Sequence, residues 1–285
     1  MHSLWHYAFV QQALLAGVIT AILAGIVGPI VTMRNMSFAV HGLAEVGFSG
    51  AAGAVMLGLP APVGVLVAAF AAAGAIGALG VRLRERDVAI GSVLAFAMGL
   101  GVLFLTLSTR YATEAFSILF GSILAVSRDD VLRTAIVGAA ALAALAAIYR
   151  PLRFASVDPE VAEARGVPVR LLSTLFLLIL ALAVAEAIQV VGALLVLTLV
   201  IVPAGAAQRL TAHPSLITAC SVAIALAATV GGLVCALYTS WPVSFFVTAL
   251  SFTAYLLARV TAPLAALIRT PGRSAAASKR EPGAI

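Results

Sequence analysis

Long apolar blocks alternate with short polar punctuation along the chain. They run approximately over Ala8 to Thr32, Met36 to Gly58, Pro60 to Val81, Val88 to Ser108, Val131 to Tyr149, Leu171 to Ile188, Val190 to Gln208, Ser215 to Tyr238 and Pro242 to Thr261. Blocks of about 17–25 residues match the thickness of a hydrocarbon core of about 30 Å. In lipid a spanning backbone must satisfy its own polar groups, which helices do. The pattern therefore predicts an all-α membrane protein, a polytopic helical bundle with about nine transmembrane helices. The weakest division lies in the run from Leu171 to Pro203, which is interrupted by Glu186 and Gln189. A tight hairpin there gives nine spans, and an uninterrupted run gives the alternative, eight.

A further apolar run, Ala115 to Val126, is too short to span. Two readings stand side by side, a re-entrant segment beside a pathway and a helix lying in the interface. The spans are rich in small residues, among them Gly50, Gly53, Gly74, Gly77, Gly80, Gly231 and Gly232. Such residues let helices pack closely where lipid supplies no hydrophobic drive.

Composition removes the soluble alternative. Of 285 residues, 63% are hydrophobic and 10% charged, against roughly 45–50% and about 25% in soluble domains. No polar stretch is long enough to bury a core of its own. One membrane domain is expected over residues 1–268, followed by a small, basic, proline-containing tail, 269–285, expected to be disordered on the cytoplasmic side. Residues 1–6 carry no Lys or Arg and the apolar block after them exceeds a signal h-region, so the first span is expected to be retained.

The net charge of +6 follows membrane topology rather than a nucleic-acid surface. With the N-terminus outside, fourteen of the seventeen basic residues fall on the cytoplasmic side. Arg110, Arg128 and Arg133 are the exceptions, and Glu114, Asp129 and Asp130 stand near enough to pair with them. Nucleic acid is not an expected partner; membrane lipid is. The single lysine, Lys279, follows Ser278 in the tail, so the chain has no Gly-Lys-Ser/Thr phosphate loop of its own. Cys220 and Cys235 lie fifteen residues apart in one block and are expected to be small buried apolar residues.

Two constellations carry chemistry. The loop over about 150–170 contains Asp158-Pro-Glu-Val-Ala-Glu-Ala-Arg-Gly166. Asp158 is suited to an N-cap and Pro159 to the first helical position, while Glu160 and Glu163 favour the positive end of a helix dipole. Arg165 favours the other end, and Gly166 before Pro168 stops the helix. A helix this short is marginal alone and needs a surface. That surface is either its own bundle or a cytoplasmic partner.

The second constellation is Arg34-Asn-Met-Ser-Phe-Ala-Val-His-Gly-Leu-Ala-Glu45. His41 and Glu45 stand four apart and share one helical face. Ionisable groups inside a span are costly and usually face a cavity or a partner. Imidazole and carboxylate suit a first-row divalent ion, although two ligands hold one weakly. A second copy of the chain would bring four. A His–Glu hydrogen bond within the bundle is the other reading. Glu186 and Gln189, near the outer end of the sixth span, are candidate pore-lining residues or an interfacial pair. His213 before Pro214 fits a solvated turn, and His2 and His6 are weak metal collectors.

Five stretches, taken in order, resemble the integral-membrane permeases of bacterial ABC importers for zinc, manganese and iron, the ABC-3 family. They are Arg34 to Phe38, Asp87-Val-Ala-Ile-Gly91, Phe120-Gly-Ser-Ile-Leu-Ala-Val126, Asp158 to Gly166, and Gln189 to Val196 continuing through Ile201-Val-Pro-Ala204. The likeness covers approximately Ala8 to Val260. It implies a multi-pass protein of the bacterial plasma membrane and a non-catalytic subunit forming a translocation pore as a homodimer. It also implies a cytoplasmic ABC ATPase docked on the Asp158–Gly166 helix and an extracytoplasmic metal-binding protein that delivers the ion. No resident cofactor is implied, only a transported divalent ion, zinc first and then manganese or iron. Many members carry Asp and then His four residues later in the second span; here His41 and Glu45 hold those positions, the ligand types in reversed order. A proton- or ion-coupled secondary transporter is the alternative, with His41, Glu45 and Glu186 as its relay. It leaves the capped loop helix without a task. An intramembrane enzyme lacks a nucleophile and base, since neither HExxH nor GxSxG occurs.

Overall fold

The computed structural model describes residues 7–79, 83–107, 121, 123–239 and 241–269. Among them lie nine helices long and apolar enough to cross a membrane. In chain order the helices are α1 (Ala8–Met33), α2 (Ser37–Met56), α3 (Ala61–Leu79), α4 (Leu83–Leu107), α5 (Arg128–Val157), α6 (Pro159–Ala164), α7 (Val169–Val191), α8 (Ala193–Leu210), α9 (Pro214–Tyr238) and α10 (Val243–Arg269). Only α6 is too short to span. His2 and His6, residues 108–120 and the tail from 270 onward lie outside the described residues.

The bundle has an inside and an outside. Helices α1, α2, α7 and α8 form its centre, flanked by α3 and α4 against α2, α5 against α1 and α7, and α9 and α10 against α1 and α8. Of α2's best spanning window 78% is buried, against 22% for α4, α5 and α10. Yet α2 is the least apolar of the nine. Its burial comes from small residues that admit neighbours, so its polar positions sit inside protein rather than in lipid. The contact with α3 shows how close the approach is: a Cβ on Gly64 would stand 2.5 Å from the Cβ of Ala54, and one on Gly50 3.0 Å from the Gly64 carbonyl carbon.

Sharp turns at one end of the bundle share one device. The α1–α2 turn places Asn35 at φ +54°, with Asn35 N donating to the Thr32 carbonyl at 3.2 Å and Met36 N to that of Val31 at 2.9 Å. After α6, Gly166 at φ +79° repeats it: Gly166 N donates to Glu163 O at 2.9 Å and Val167 N to Ala162 O at 3.0 Å. Both are Schellman closures, which satisfy the last carbonyls through one left-handed residue. By the charge rule, these turns belong to the cytoplasmic end.

The helix boundaries correct the expected ones in three places. The break between the sixth and seventh spans falls at Gly192, not at Gln189; α7 runs on to Val191 and Gly192 adopts φ +87°, ψ 156°. A residue with a side chain rarely enters that region, so glycine fixes the break. Helix α5 begins at Arg128 and continues through Arg150 and Pro151 to Val157, so the first part of the expected loop is helical. Pro151 removes one N–H but does not end the helix. Helix α4 starts at Leu83, inside the expected Arg-rich loop.

Of the short run before α5, the described part is half in and half out, with Leu124 and Ala125 exposed. Ile123 and Val126 join the core, and Ile123–Ala125 form a 3-10 turn against α1 and α7. Gly121, at φ +76°, lies so close to the Val191–Gly192 peptide that a Cβ would stand 2.6 Å from Gly192 N. The cysteines differ from expectation too: both are free, Cys220 half-buried and Cys235 exposed. The bundle's outer layer, rather than its core, holds Cys235.

Candidate functional site

The second helix starts two residues after the Asn35 turn, and its first two turns deliver His41 and Glu45. Glu45 is buried, 8% exposed, and His41 half-buried. His41 stacks loosely on Phe38, with ring centroids 6.4 Å apart. Helix α4 presses on the same segment, where a Cβ on Gly42 would meet Ile90 at 2.8 Å. One turn on, the Ser49 hydroxyl donates to the Glu45 carbonyl at 3.2 Å, so this serine serves the helix backbone and not the carboxylate. Among the described residues no group of three or more His, Cys, Asp or Glu converges. One chain therefore offers two ligand types on one face, too few for a closed site.

At the opposite end, α7 carries Glu186 and Gln189. Glu186 is 1% exposed, and neither carboxylate oxygen has a hydrogen-bond partner. Arg133, Thr134 and Asp130 of α5 are its polar surroundings. Arg133 donates instead to the Gln189 side-chain oxygen, and Gln189 Nε2 donates to the Ala185 carbonyl at 3.2 Å. The expectation that Arg133 pairs with a neighbouring acid is thereby corrected. Asp130 is committed elsewhere, closing a capping box with Ser127 at the start of α5. Asp130, Thr134, Ile188 and Gln189, with Pro62 of α3 and Val126, bound a cavity of about 160 Å³. Gln189 thus faces open volume, with Glu186 one turn deeper in the protein.

The capped loop helix is built as its residues dictate. Asp158 Oδ1 accepts from Val161 N at 3.0 Å, Pro159 opens the helix and Gly166 closes it. Ala162 is fully buried against α5 and α7, whereas Glu160, Val161, Glu163 and Arg165 are exposed. One face seats on the bundle, and the opposite face, two acids and an arginine around Val161, is exposed. His213 is exposed in the turn before α9, as expected.

Sequence reasoning missed Arg34. Its guanidinium donates to Ser156 Oγ of α5 at 2.8 Å and Ser173 Oγ of α7 at 2.5 Å, and lies 5.8 Å from the Phe176 ring centroid. The partners are 122 and 139 residues away in sequence, so Arg34 was legible as the head of the Arg34–Phe38 stretch but not as a tie between helices.

Known proteins agree with the fold. The chain is 33% identical over 210 residues to the manganese transport system membrane protein MntC of Halalkalibacterium halodurans, covering 73% of this chain and 72% of that one. It is 32% identical to the manganese import system permease protein ScaB of Streptococcus parasanguinis, over 72% and 73% of the two chains. The solved structure of PsaBC from Streptococcus pneumoniae in complex with Fab superposes with a TM-score of 0.79 at 28% identity, over 90% of this chain and 92% of that one. An inward-facing putative metal-chelate type ABC transporter shares the fold alone, at TM-score 0.73 and 13% identity over 88% and 85%. The profile of the ABC 3 transport family matches residues 6–262. With nine apolar helices among its described residues, the chain is a multi-pass bacterial plasma-membrane permease and belongs to the ABC 3 transport family.

Proposed function

We propose that this permease forms the pathway of an ATP-driven importer of divalent metal ions, with manganese ahead of zinc. The observation that carries the reading is a buried carboxylate, Glu45, with a half-buried imidazole, His41, one turn before it on the helix most enclosed by the bundle. The names of the relatives support manganese, and the donor types agree, since carboxylate is a natural manganese ligand while imidazole serves zinc and iron as well. The preference for zinc expected from the sequence is not kept. The ion is cargo, and no resident cofactor enters the scheme.

Two donors on one chain support a homodimer in which a second α2 completes the coordination. ATP hydrolysis then belongs to a separate ABC subunit docked on α6, whose exposed Glu160, Glu163 and Arg165 offer charges of both signs for register. An extracytoplasmic metal-binding protein delivers the ion at the Gln189 end. Closure of the ATPase pair pushes on α6, and the bundle opens alternately to either side. This chain performs no covalent chemistry in the scheme. A secondary carrier is disfavoured by the family and by the capped helix, which it would not use.

The test is uptake of labelled manganese and zinc, in competition, by vesicles containing the permease with its ATPase and binding protein. Wild type is expected to take up manganese in preference and only with ATP. His41→Ala and Glu45→Ala are each expected to lower uptake at least about tenfold, the loss of one ligand interaction of about 1.4 kcal/mol. Uptake driven by a proton gradient without ATP sinks the reading. Full uptake in both variants removes the pair from the pathway.

A further inference from the structure

Helix α6 is held between two long helices. It follows α5 directly, with Asp158 N donating to the Phe154 carbonyl at 3.3 Å, and leads through Gly166 into α7. Any force on α6 therefore reaches the last turn of α5 and the first turns of α7. Ser156 lies in the first of these places and Ser173 in the second. The Arg34 guanidinium bonds both hydroxyls, at 2.8 and 2.5 Å, with its face toward the Phe176 ring. Ser156 is fixed in turn by donating to the Leu152 carbonyl at 2.6 Å.

Arg34 belongs to neither helix. It is the C-cap of α1, followed by the left-handed Asn35 and then, after Met36, by α2. That corner is closed by paired backbone bonds and Met36 is fully buried, so it moves as a unit with the start of α2. His41 lies about one turn along that helix and Glu45 about two. A planar guanidinium with five donors reaches two acceptors on different helices at once; an ammonium on a flexible stem offers no such fork. Its charge, half-buried among helix ends, makes these bonds stronger than neutral ones.

We infer that Arg34 is the positioning residue that ties the α6-bearing ends of α5 and α7 to the α1–α2 corner, so that displacement of α6 moves the helix carrying His41 and Glu45. The inference rests on the importer reading above. It assigns a transmission role to an arginine at the corner between two spanning helices. Coupling between sites needs a physical element joining them, and the two hydrogen bonds supply it.

The experiment compares wild type, Arg34→Ala, Arg34→Lys and Ser156→Ala/Ser173→Ala, each as the full complex in vesicles with its ATPase and binding protein. Metal uptake and ATP hydrolysis are read in parallel. Arg34→Ala is expected to raise the ATP consumed per ion transported by at least about tenfold, the weight of losing charge-assisted hydrogen bonds. Arg34→Lys should recover little of that loss, and the double serine variant, which keeps the arginine, should reproduce it. Two outcomes overturn the inference: an unchanged ratio, and a parallel fall of uptake and hydrolysis in the arginine and serine variants alike, which is the mark of a mere staple. The serine variants, which remove only hydroxyls, decide the matter if Arg34→Ala fails to assemble. Failure of wild type itself to couple ATP to metal uptake sinks the importer reading and is seen before any variant is measured.

Discussion

The two ends of α7 are built in opposite ways. At the cytoplasmic end Ser173 accepts from Arg34, and Phe176 lies under the same guanidinium. At the outer end Glu186 is more deeply enclosed, yet neither of its oxygens accepts a hydrogen bond, while the nearby Arg133 donates to Gln189. Two hydroxyls held by one guanidinium rigidify the inner end, and a buried carboxylate without a bond is a liability that this conformation tolerates. One end of the helix is thus tied across the bundle, and the other keeps a polar group in reserve beside an open cavity. The contrast fits a helix driven from its inner end and rearranging at its outer one.

The comparison can be broken from either side, and the largest effect belongs to the tied end. Ser156→Ala/Ser173→Ala removes two acceptors of a charged donor and should cost about 2–3 kcal/mol, read as a lower melting temperature of the purified protein. A loss well under 1 kcal/mol would make the inner tie nominal. Next comes the hinge between α7 and α8. Gly192→Ala forces a side chain into a region almost reserved for glycine and should cost about 1–3 kcal/mol in the same assay. Asp158→Ala, which strips the N-cap of α6, is worth about 1 kcal/mol; hydrogen exchange at Val161 should quicken while the long helices keep their protection. The smallest expected effect is at the outer end. Glu186→Gln removes a charge that has no hydrogen bond to lose, so the melting temperature should hold or rise. A marked fall would show Glu186 to be as firmly held as Ser173, and the two ends would no longer differ.

Much of this fold was legible because membrane helices announce themselves by length. Local devices were legible as well: Asp158, Pro159 and Gly166 fix α6 through contacts within nine residues, and the structure forms each of them. The failures have physical causes of another kind. Pro151 reads as a stop, but a helix interior loses only one bond there, and packing of Leu152 and Ala155 carries α5 past it. Gln189 reads as polar punctuation, yet its side chain is satisfied by Arg133 and the Ala185 carbonyl, and the break passes to Gly192. Cys235 reads as buried, but apolar residues in a membrane protein face lipid as readily as core. The Arg34 tie joins positions more than a hundred residues apart, and no local pattern encodes it. Of the proposed pathway, His41 and Glu45 were legible as a pair on one face; the burial of Glu45 depends on small residues of α2 meeting α3 and α4.

The unbroken course of α5 past Pro151 has a geometric consequence. Thirty residues at about 1.5 Å each make a rod of about 45 Å, against a hydrocarbon slab of about 30 Å. The surplus cannot all be absorbed at the outer rim, where Ser127 caps the helix in the first turn. Tilt takes up part of such a surplus, and the cytoplasmic end of the rod carries Arg150, Arg153 and then α6, itself seated on α5 and α7. The length of one continuous helix, rather than a flexible loop, thus sets how far α6 stands from the opposite rim of the bundle.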